Sequence, residues 1–323
     1  MMRVTLLAGG FGGAKLSHGM VLEAGARSAA DPLLVDVIVN TGDDLELHGL
    51  LVSPDLDTVM YTLAGIANTE TGWGVRDETW SATSILEGYG APTWFRLGDR
   101  DLATQIRRTE RLRNGMRPTE VALELSAALG VRARLLPMSD DPVRTELLTA
   151  DGWLEFQDYF VRRAHRDAVR EVRHRGADDA RPTPEVLDAI HAADLIVFAP
   201  SNPIVSIGTI LAVPGIVGAL RGARAKIVAV SPIVAGAALR GPADRMLESL
   251  GGSSSAEGVA AFYAARHPGV VDAFVIDSVD AGAAAAIEGL GMDVLVTETV
   301  MRDDADRSWL AAAILRRYAP TSS

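Results

Sequence analysis

Cysteine is absent from the 323 residues, so disulfides and thiolate metal sites are excluded, as suits a reducing cytoplasm. Long apolar runs are missing too. No stretch of about 18 uninterrupted apolar residues is present, and no membrane span is expected. The opening "MMRVTLLAGGFGG" lacks the longer apolar region and cleavage site of a signal peptide and reads as a first strand. Positive charge is in deficit, at 31 Lys and Arg against 42 Asp and Glu, for a net charge of −11. That balance disfavours sequence-independent binding to nucleic-acid phosphates. The basic residues gather at 107–117 and 161–176, where solvated faces explain them. The six histidines include no HExxH pair, which excludes the usual zinc hydrolases; a lone residue such as His48 reads as structural. There is no GxSxG nucleophile elbow.

What is present is alternation. A β-rich "RVTLLAGG", a glycine turn, the helically spaced "AKLSHGMVLEAG" and the buried-type strand "LLVDVIVNTG" form a β-loop-α-β start. The grammar returns in strands at 193–203, 225–233, 271–278 and 292–299, separated by helical segments at 206–221, 243–264, 281–289 and 304–317. Such alternation predicts an α/β, Rossmann-like, doubly wound and mainly parallel sheet. Residues 57 to 128 read as mostly helical, and 144–161 as two strands around an Asp-Gly turn. The expected organisation is one domain over 1–323. An insertion at about 57–190, helices plus β-hairpin, covers its active-site face.

Five segments carry candidate chemistry. "AGGFGGAKL" (8–16) places Gly10, Gly12 and Gly13 between a strand and a helix, where backbone N–H groups suit a phosphate. It completes neither a GxGxxG, because position 15 is Lys15, nor a Walker loop. A tight structural turn is the other reading. "NTGDDLELHGLLVSPDLDTV" (40–59) gathers Asp43, Asp44, Asp55 and Asp57 at the carboxyl end of a strand and the start of a helix. Helix capping explains one of them; hard oxygen ligands for Mg²⁺ explain several. "PTWFRLGDRDLATQIRRT" (92–109) sets Trp94 and Phe95 beside Arg96, with Asp99 or Asp101 as possible caps. "APSNPIVSIGTI" (199–210) offers Ser201 and Asn202 at a strand tip. "VSPIVAGAALRGPADRM" (230–246) repeats that logic with Ser231, Arg240 and Gly241, and "PMSDDPVRT" adds Ser139, Asp140 and Asp141.

In their order along the chain, "GGFGGAKL", "NTGDD", "PDLDTVMYTL", "GWGVRDETW", "RLGDRDLATQIRRT", "LLPMSDDPV", "FQDYFV", "APSNPIVSIGTIL", "VSPIVAG" and "GPAD" resemble the 2-phospho-L-lactate transferases of coenzyme F420 biosynthesis. The likeness includes their phosphoenolpyruvate-transferring relatives and runs from residue 3 to about 265. It implies transfer of a phosphoenolpyruvyl or 2-phospho-L-lactyl group from its 2-diphospho-5′-guanosine to 7,8-didemethyl-8-hydroxy-5-deazariboflavin (Fo), with GMP released and Mg²⁺ as cofactor. On that pattern Asp57 and Arg96 contact the deazaflavin. Asp43 and Asp57 are then expected to be catalytic and to hold the metal, with Asp44 in support and Asp55 a cap. Gly10, Gly12 and Gly13 would cradle the diphosphate, and Ser201 and Asn202 the guanosine. Small-molecule partners, no nucleic acid or membrane, and a homodimer are expected. The competing reading is a non-enzymatic nucleotide-sugar-binding regulator of the same fold, which leaves "RLGDRDLAT" and "PDLDTV" without a purpose.

Overall fold

The computed structural model describes residues 1–320. Strands β1 (Met2–Ala8) and β2 (Leu33–Val39) flank helix α1 (Gly10–Ala26), and a short hairpin of β3 (Leu45–Leu47) and β4 (Leu50–Val52) follows. Four helices come next: α2 (Pro54–Leu63), α3 (Ser81–Gly88), α4 (Asp99–Arg113) and α5 (Pro118–Ala128). Strand β5 (Arg134–Pro137) precedes a three-stranded antiparallel sheet of β6 (Arg144–Thr149), β7 (Gly152–Glu155) and β8 (Glu171–Arg175). Then α6 (Pro184–His191) leads to β9 (Leu195–Phe198), α7 (Ile207–Ala212), α8 (Ile216–Gly222) and β10 (Lys226–Val230). The two-residue strands β11 (Ile233–Val234) and β12 (Ala237–Ala238) lead to α9 (Ala243–Ser249) and α10 (Ala256–Arg266). The chain closes with β13 (Ala273–Asp277), α11 (Ala284–Glu288), β14 (Asp293–Thr297) and α12 (Asp304–Tyr318). Among the described residues no helix is long and apolar enough to cross a membrane.

The central sheet is parallel throughout, in the order β14-β13-β10-β9-β1-β2-β5. Its strands are apolar on both sides because both sides are covered. Leu6 and Ala8 of β1, with Val37 and Val39 of β2, pack into one core with α1, α2 and α12. Leu7, Ile38, Phe198 and Phe274 point the other way and meet residues of α6, α7, α8 and α10. From β1 the chain crosses to β2 on one side; from β9 it crosses to β10 on the other. The strand order therefore reverses between β1 and β9, and the loops leaving those two strands diverge at the carboxyl edge. Ligands of such sheets bind at that divergence.

The expected α/β architecture is therefore present, with two departures. Segment 57–190 is not one insertion, because β5 inside it returns to the central sheet beside β2. Asp36 of β2 and Arg134 of β5 stand opposite in register, and Arg134 Nε and Nη2 donate to the two Asp36 oxygens at 2.9 Å each. The second departure concerns the helical segments at 206–221 and 243–264. Each is two helices, broken at Pro214-Gly215 and at the Gly251-Gly252 pair. The Asp-Gly hairpin forms as expected, with Thr149 opposite Gly152. The basic stretch 161–176 contributes β8, whose Arg173 and Arg175 share Glu146 of β6 at 2.6 Å each.

Candidate active site

The site grows from the amide that ends β2. Asn40 is fully buried; its Oδ1 accepts the Gly42 N–H at 2.8 Å, and its Nδ2 donates to Asp55 Oδ2 at 2.9 Å. One side chain thus draws the "NTGDD" turn against the first turn of α2. Asp43, 4% exposed, lies in the same pocket, and its Oδ1 has no hydrogen-bond partner among the described residues. Burial pushes the Asp43 carboxyl well above its usual range; the Asp55 and Asp44 charges push it further, and bonds to Asn40 and Thr145 offset this in part. Burial likewise raises Asp55 to about 6, against hydrogen bonds from Asn40 and the Gly10 backbone. Neither carboxylate has a cationic partner among the described residues. A second orphaned oxygen, Asp44 Oδ1, sits beside them, and Asp44 Oδ2 accepts from Ser53 at 2.9 Å.

Asp57 has a different setting. Arg108 of α4 grips both of its oxygens, one of them at 3.0 Å, and Gln105 Nε2 donates to Oδ2 at 2.9 Å. Gln105 Nε2 also reaches Asp101 Oδ1 at 2.7 Å, where the Tyr61 hydroxyl donates at 2.8 Å. Asp57, Asp101, Gln105 and Arg108 are all buried, so α2 and α4 are joined by a dry polar network. Burial, with the Asp57 charge second, raises Asp101 to about 6. Sequence reasoning missed Asn40, Gln105 and Arg108. The one available signal was the spacing of Asp101, Gln105 and Arg108, which places all three on one face of a helix.

Several expectations need correction. Asp55 does not cap its own helix: Ser53 is the N-cap residue of α2, and the Asp55 carboxylate turns instead to Asn40 and Gly10. Asp99 takes N–H bonds from Ser81 and Ala82, so it serves the start of α3 rather than of α4. Ser201 does not face an open crevice; its hydroxyl donates to Gly9 O at 2.7 Å and accepts Gly9 N–H at 3.1 Å. Asn202 Oδ1 accepts from Ile204 and Val205 in a local turn. Ser231, Ser139 and Asp141 make similar internal bonds, and Asp140 accepts from Thr119 at the start of α5. Arg96 stacks on Trp80, its guanidinium 4.2 Å from the ring centroid, rather than on Trp94 or Phe95.

The glycines divide in the same way. A side chain at Gly12 would run into the Pro200 carbonyl, and one at Gly13 would come within 2.7 Å of Ser201 Oγ, so both serve close packing of α1 on the loop after β9. Gly10 has φ +57° and faces Asp55, and it alone of the three opens on the carboxylates. The basic run 107–117 is absorbed internally as well: Arg107 and Arg111 pair with Glu124, and Arg117 with Glu185 and Asp140.

A doubly wound sheet with a glycine turn, a cation-free carboxylate pair and an ion-paired aspartate gathered at its carboxyl edge is an α/β protein with polar groups where open sheets of this kind bind ligands. The family model for the 2-phospho-L-lactate transferase CofD matches residues 4–297, and the chain belongs to that family. The match extends beyond residue 265, the end of the motif resemblance, to residue 297. Phosphoenolpyruvate transferase of Kitasatospora aureofaciens is 44% identical over 307 residues, 94% of this chain and 93% of its own. The Streptomyces griseus protein of that name is 46% identical over 307 residues, 94% of each chain. The Thermobifida fusca one is 42% identical over 319 residues, 97% of this chain and 96% of its own. Crystal structures of a UPF0052-family protein from Bacillus halodurans share the fold at 17% and 19% identity. Their TM-scores are 0.66 and 0.67; each covers 97% of this chain, and the chain covers 98% and 99% of them.

Proposed function

We propose that this member of the family transfers a phosphoenolpyruvyl group from enolpyruvyl-2-diphospho-5′-guanosine to Fo, giving dehydro coenzyme F420-0 and GMP. The enolpyruvyl donor is preferred over the lactyl one because the relatives above 40% identity carry the phosphoenolpyruvate name. The observation that carries the chemistry is the Asp43–Asp55 pair: a buried and a half-buried carboxylate without a cation, Asp43 with an orphaned oxygen and Asp55 facing Gly10 at the start of α1.

Such a pair suits Mg²⁺, which prefers oxygen ligands and takes one or two carboxylates, leaving its other positions to water and substrate phosphate. The fit is with a two-carboxylate site, since no group of three His, Cys, Asp or Glu side chains is placed for a metal among the described residues. Asp43 and Asp55 would hold the ion, in place of Asp43 and Asp57, whose oxygens Arg108 already engages. When bound, the ion supplies positive charge against the diphosphate oxygens. The N-terminus of α1 offers its dipole to the same anion. Asp57, fixed by Arg108 and Gln105, presents an immobile acceptor to the ribityl hydroxyl of Fo. That hydroxyl oxygen forms the new bond to the phosphorus nearer the three-carbon acid, the bond from that phosphorus to GMP breaks, and the hydroxyl proton passes to a crevice carboxylate. Positioning and charge neutralisation supply most of the catalysis in such transfers.

The test is to mix protein, Mg²⁺, Fo and either guanylated donor, then measure GMP release and product mass. Mg²⁺-dependent formation of the dehydro product supports the reading. Absence of turnover with both donors, alongside tight binding of a nucleotide sugar, would turn the assignment to the regulator.

A further inference from the structure

We propose that the antiparallel sheet of β6, β7 and β8 is the scaffold that sets the turn after β2, with Thr145 of β6 as the positioning residue of Asp43. This rests on the two-carboxylate metal reading above and adds to it the element that holds Asp43 in place. The small sheet lies outside the seven-stranded one, yet it grips that turn at three points. The Thr145 N–H donates to Gly42 O at 2.7 Å, and the Thr145 hydroxyl reaches the Asp43 carboxyl. Gln157, two residues past β7, is buried and turns its Nε2 to Asp43 O at 3.4 Å. One residue before Thr145, Arg144 sets its positive charge against Asp44. Arg144 and Thr145 thus answer Asp44 and Asp43.

The hydroxyl is placed by a count of hydrogens. Thr145 is 1% exposed and Thr209 of α7 is fully buried, with their hydroxyls 3.3 Å apart. Thr209 spends its one hydroxyl hydrogen on Val205 O at 2.7 Å, so toward Thr145 it can only accept. The Thr145 hydrogen therefore has two acceptors, and an ionised carboxylate is the stronger of them. The turn has no room to move away. A side chain at Gly42 would come within 2.4 Å of Thr209 Cγ2 and 2.6 Å of Thr145 Oγ1. Thr145 is β-branched and sits on a strand, so its own rotamer is restricted. Asp43 Oδ1 keeps no partner and is the oxygen left for an ion. Hydrogen bonds of this kind orient the carboxylates that ligate metals.

Mg²⁺ affinity, measured by titration calorimetry on the folded protein without substrates, tests the scaffold. Thr145→Val keeps the shape and removes the hydroxyl; it is expected to bind Mg²⁺ about tenfold more weakly. Thr145→Ser keeps the hydroxyl and retains the wild-type affinity. Thr149→Val, on the same strand, removes only a bond to Gly152 O and also binds as the wild type does. Should Thr145→Val fail to fold, Thr145→Ala against Thr145→Ser makes the same comparison. Wild-type affinity without the hydroxyl would overturn the role of Thr145 and leave the metal reading in place. So would an equal loss in Thr145→Ser or Thr149→Val. Wild-type protein that binds no Mg²⁺ would overturn both.

Discussion

Asp55 and Asp57 stand two residues apart on one helix and meet opposite fates. Positions i and i+2 on a helix point to different sides. Asp57 therefore faces α4 and is neutralised by Arg108, while Asp55 faces Gly10 and shares with Asp43 a pocket that has no cation. The first arrangement holds a carboxylate still. The second leaves two carboxylates without a counter-charge among the described residues. A buried ion pair is rigid but contributes little net stability, whereas an unpaired buried carboxylate subtracts from stability until something binds it. The crevice thus sets a fixed element beside a responsive one.

The largest effect expected from disturbing this contrast lies at Arg108. Arg108→Met leaves Asp57 buried without its partner and should cost about 3–5 kcal/mol in urea unfolding. Adding Asp57→Asn should restore a large part of that, because the stranded charge is gone. A double variant no more stable than Arg108→Met would show that Arg108 matters through packing rather than charge. Next in size is Asp43→Asn, for which GMP release should fall by about a hundredfold or more with no loss of thermal stability. A proportional loss of both would mean Asp43 is structural.

The pH dependence is smaller and has a definite sign. Asp55 titrates at about 6 in the folded chain and lower when unfolded, so the folded state holds the extra proton. Its contribution is full below about pH 4 and is lost as pH rises through about 6. In EDTA the wild-type thermal midpoint should therefore fall between these values, and Asp55→Asn should flatten that decline. A steeper decline in the variant would contradict the reading. The smallest effect belongs to the exposed arginines around Glu146. Glu146→Gln should change stability by about 1 kcal/mol or less and leave transfer untouched.

The alternation of apolar strands and helices made the fold legible, since each strand of the central sheet except β5 is a run of buried-type residues. β5 escaped because its four residues end on a proline and precede a polar loop. Among the carboxylates, clustering was legible but pairing was not. Asn40 decides which aspartate joins Asp43, and an asparagine after a strand carries no mark of that role. The i, i+2 spacing of Asp55 and Asp57 did forbid their sharing one ligand, and that much was available from helical geometry alone. Ser201 and Asn202 have the composition of binding residues, yet hydrogen bonds to Gly9, Ile204 and Val205 use the groups that composition advertises.

The central claim, that Asp43 and Asp55 rather than Asp57 hold the metal, is tested most directly by Mg²⁺ titration of the protein without substrates, followed by thermal unfolding at pH 7.5. Mg²⁺ should raise the midpoint of the wild type and of Asp57→Asn and leave Asp43→Asn and Asp55→Asn unmoved. A Mg²⁺ response that survives in Asp55→Asn and disappears in Asp57→Asn would contradict it.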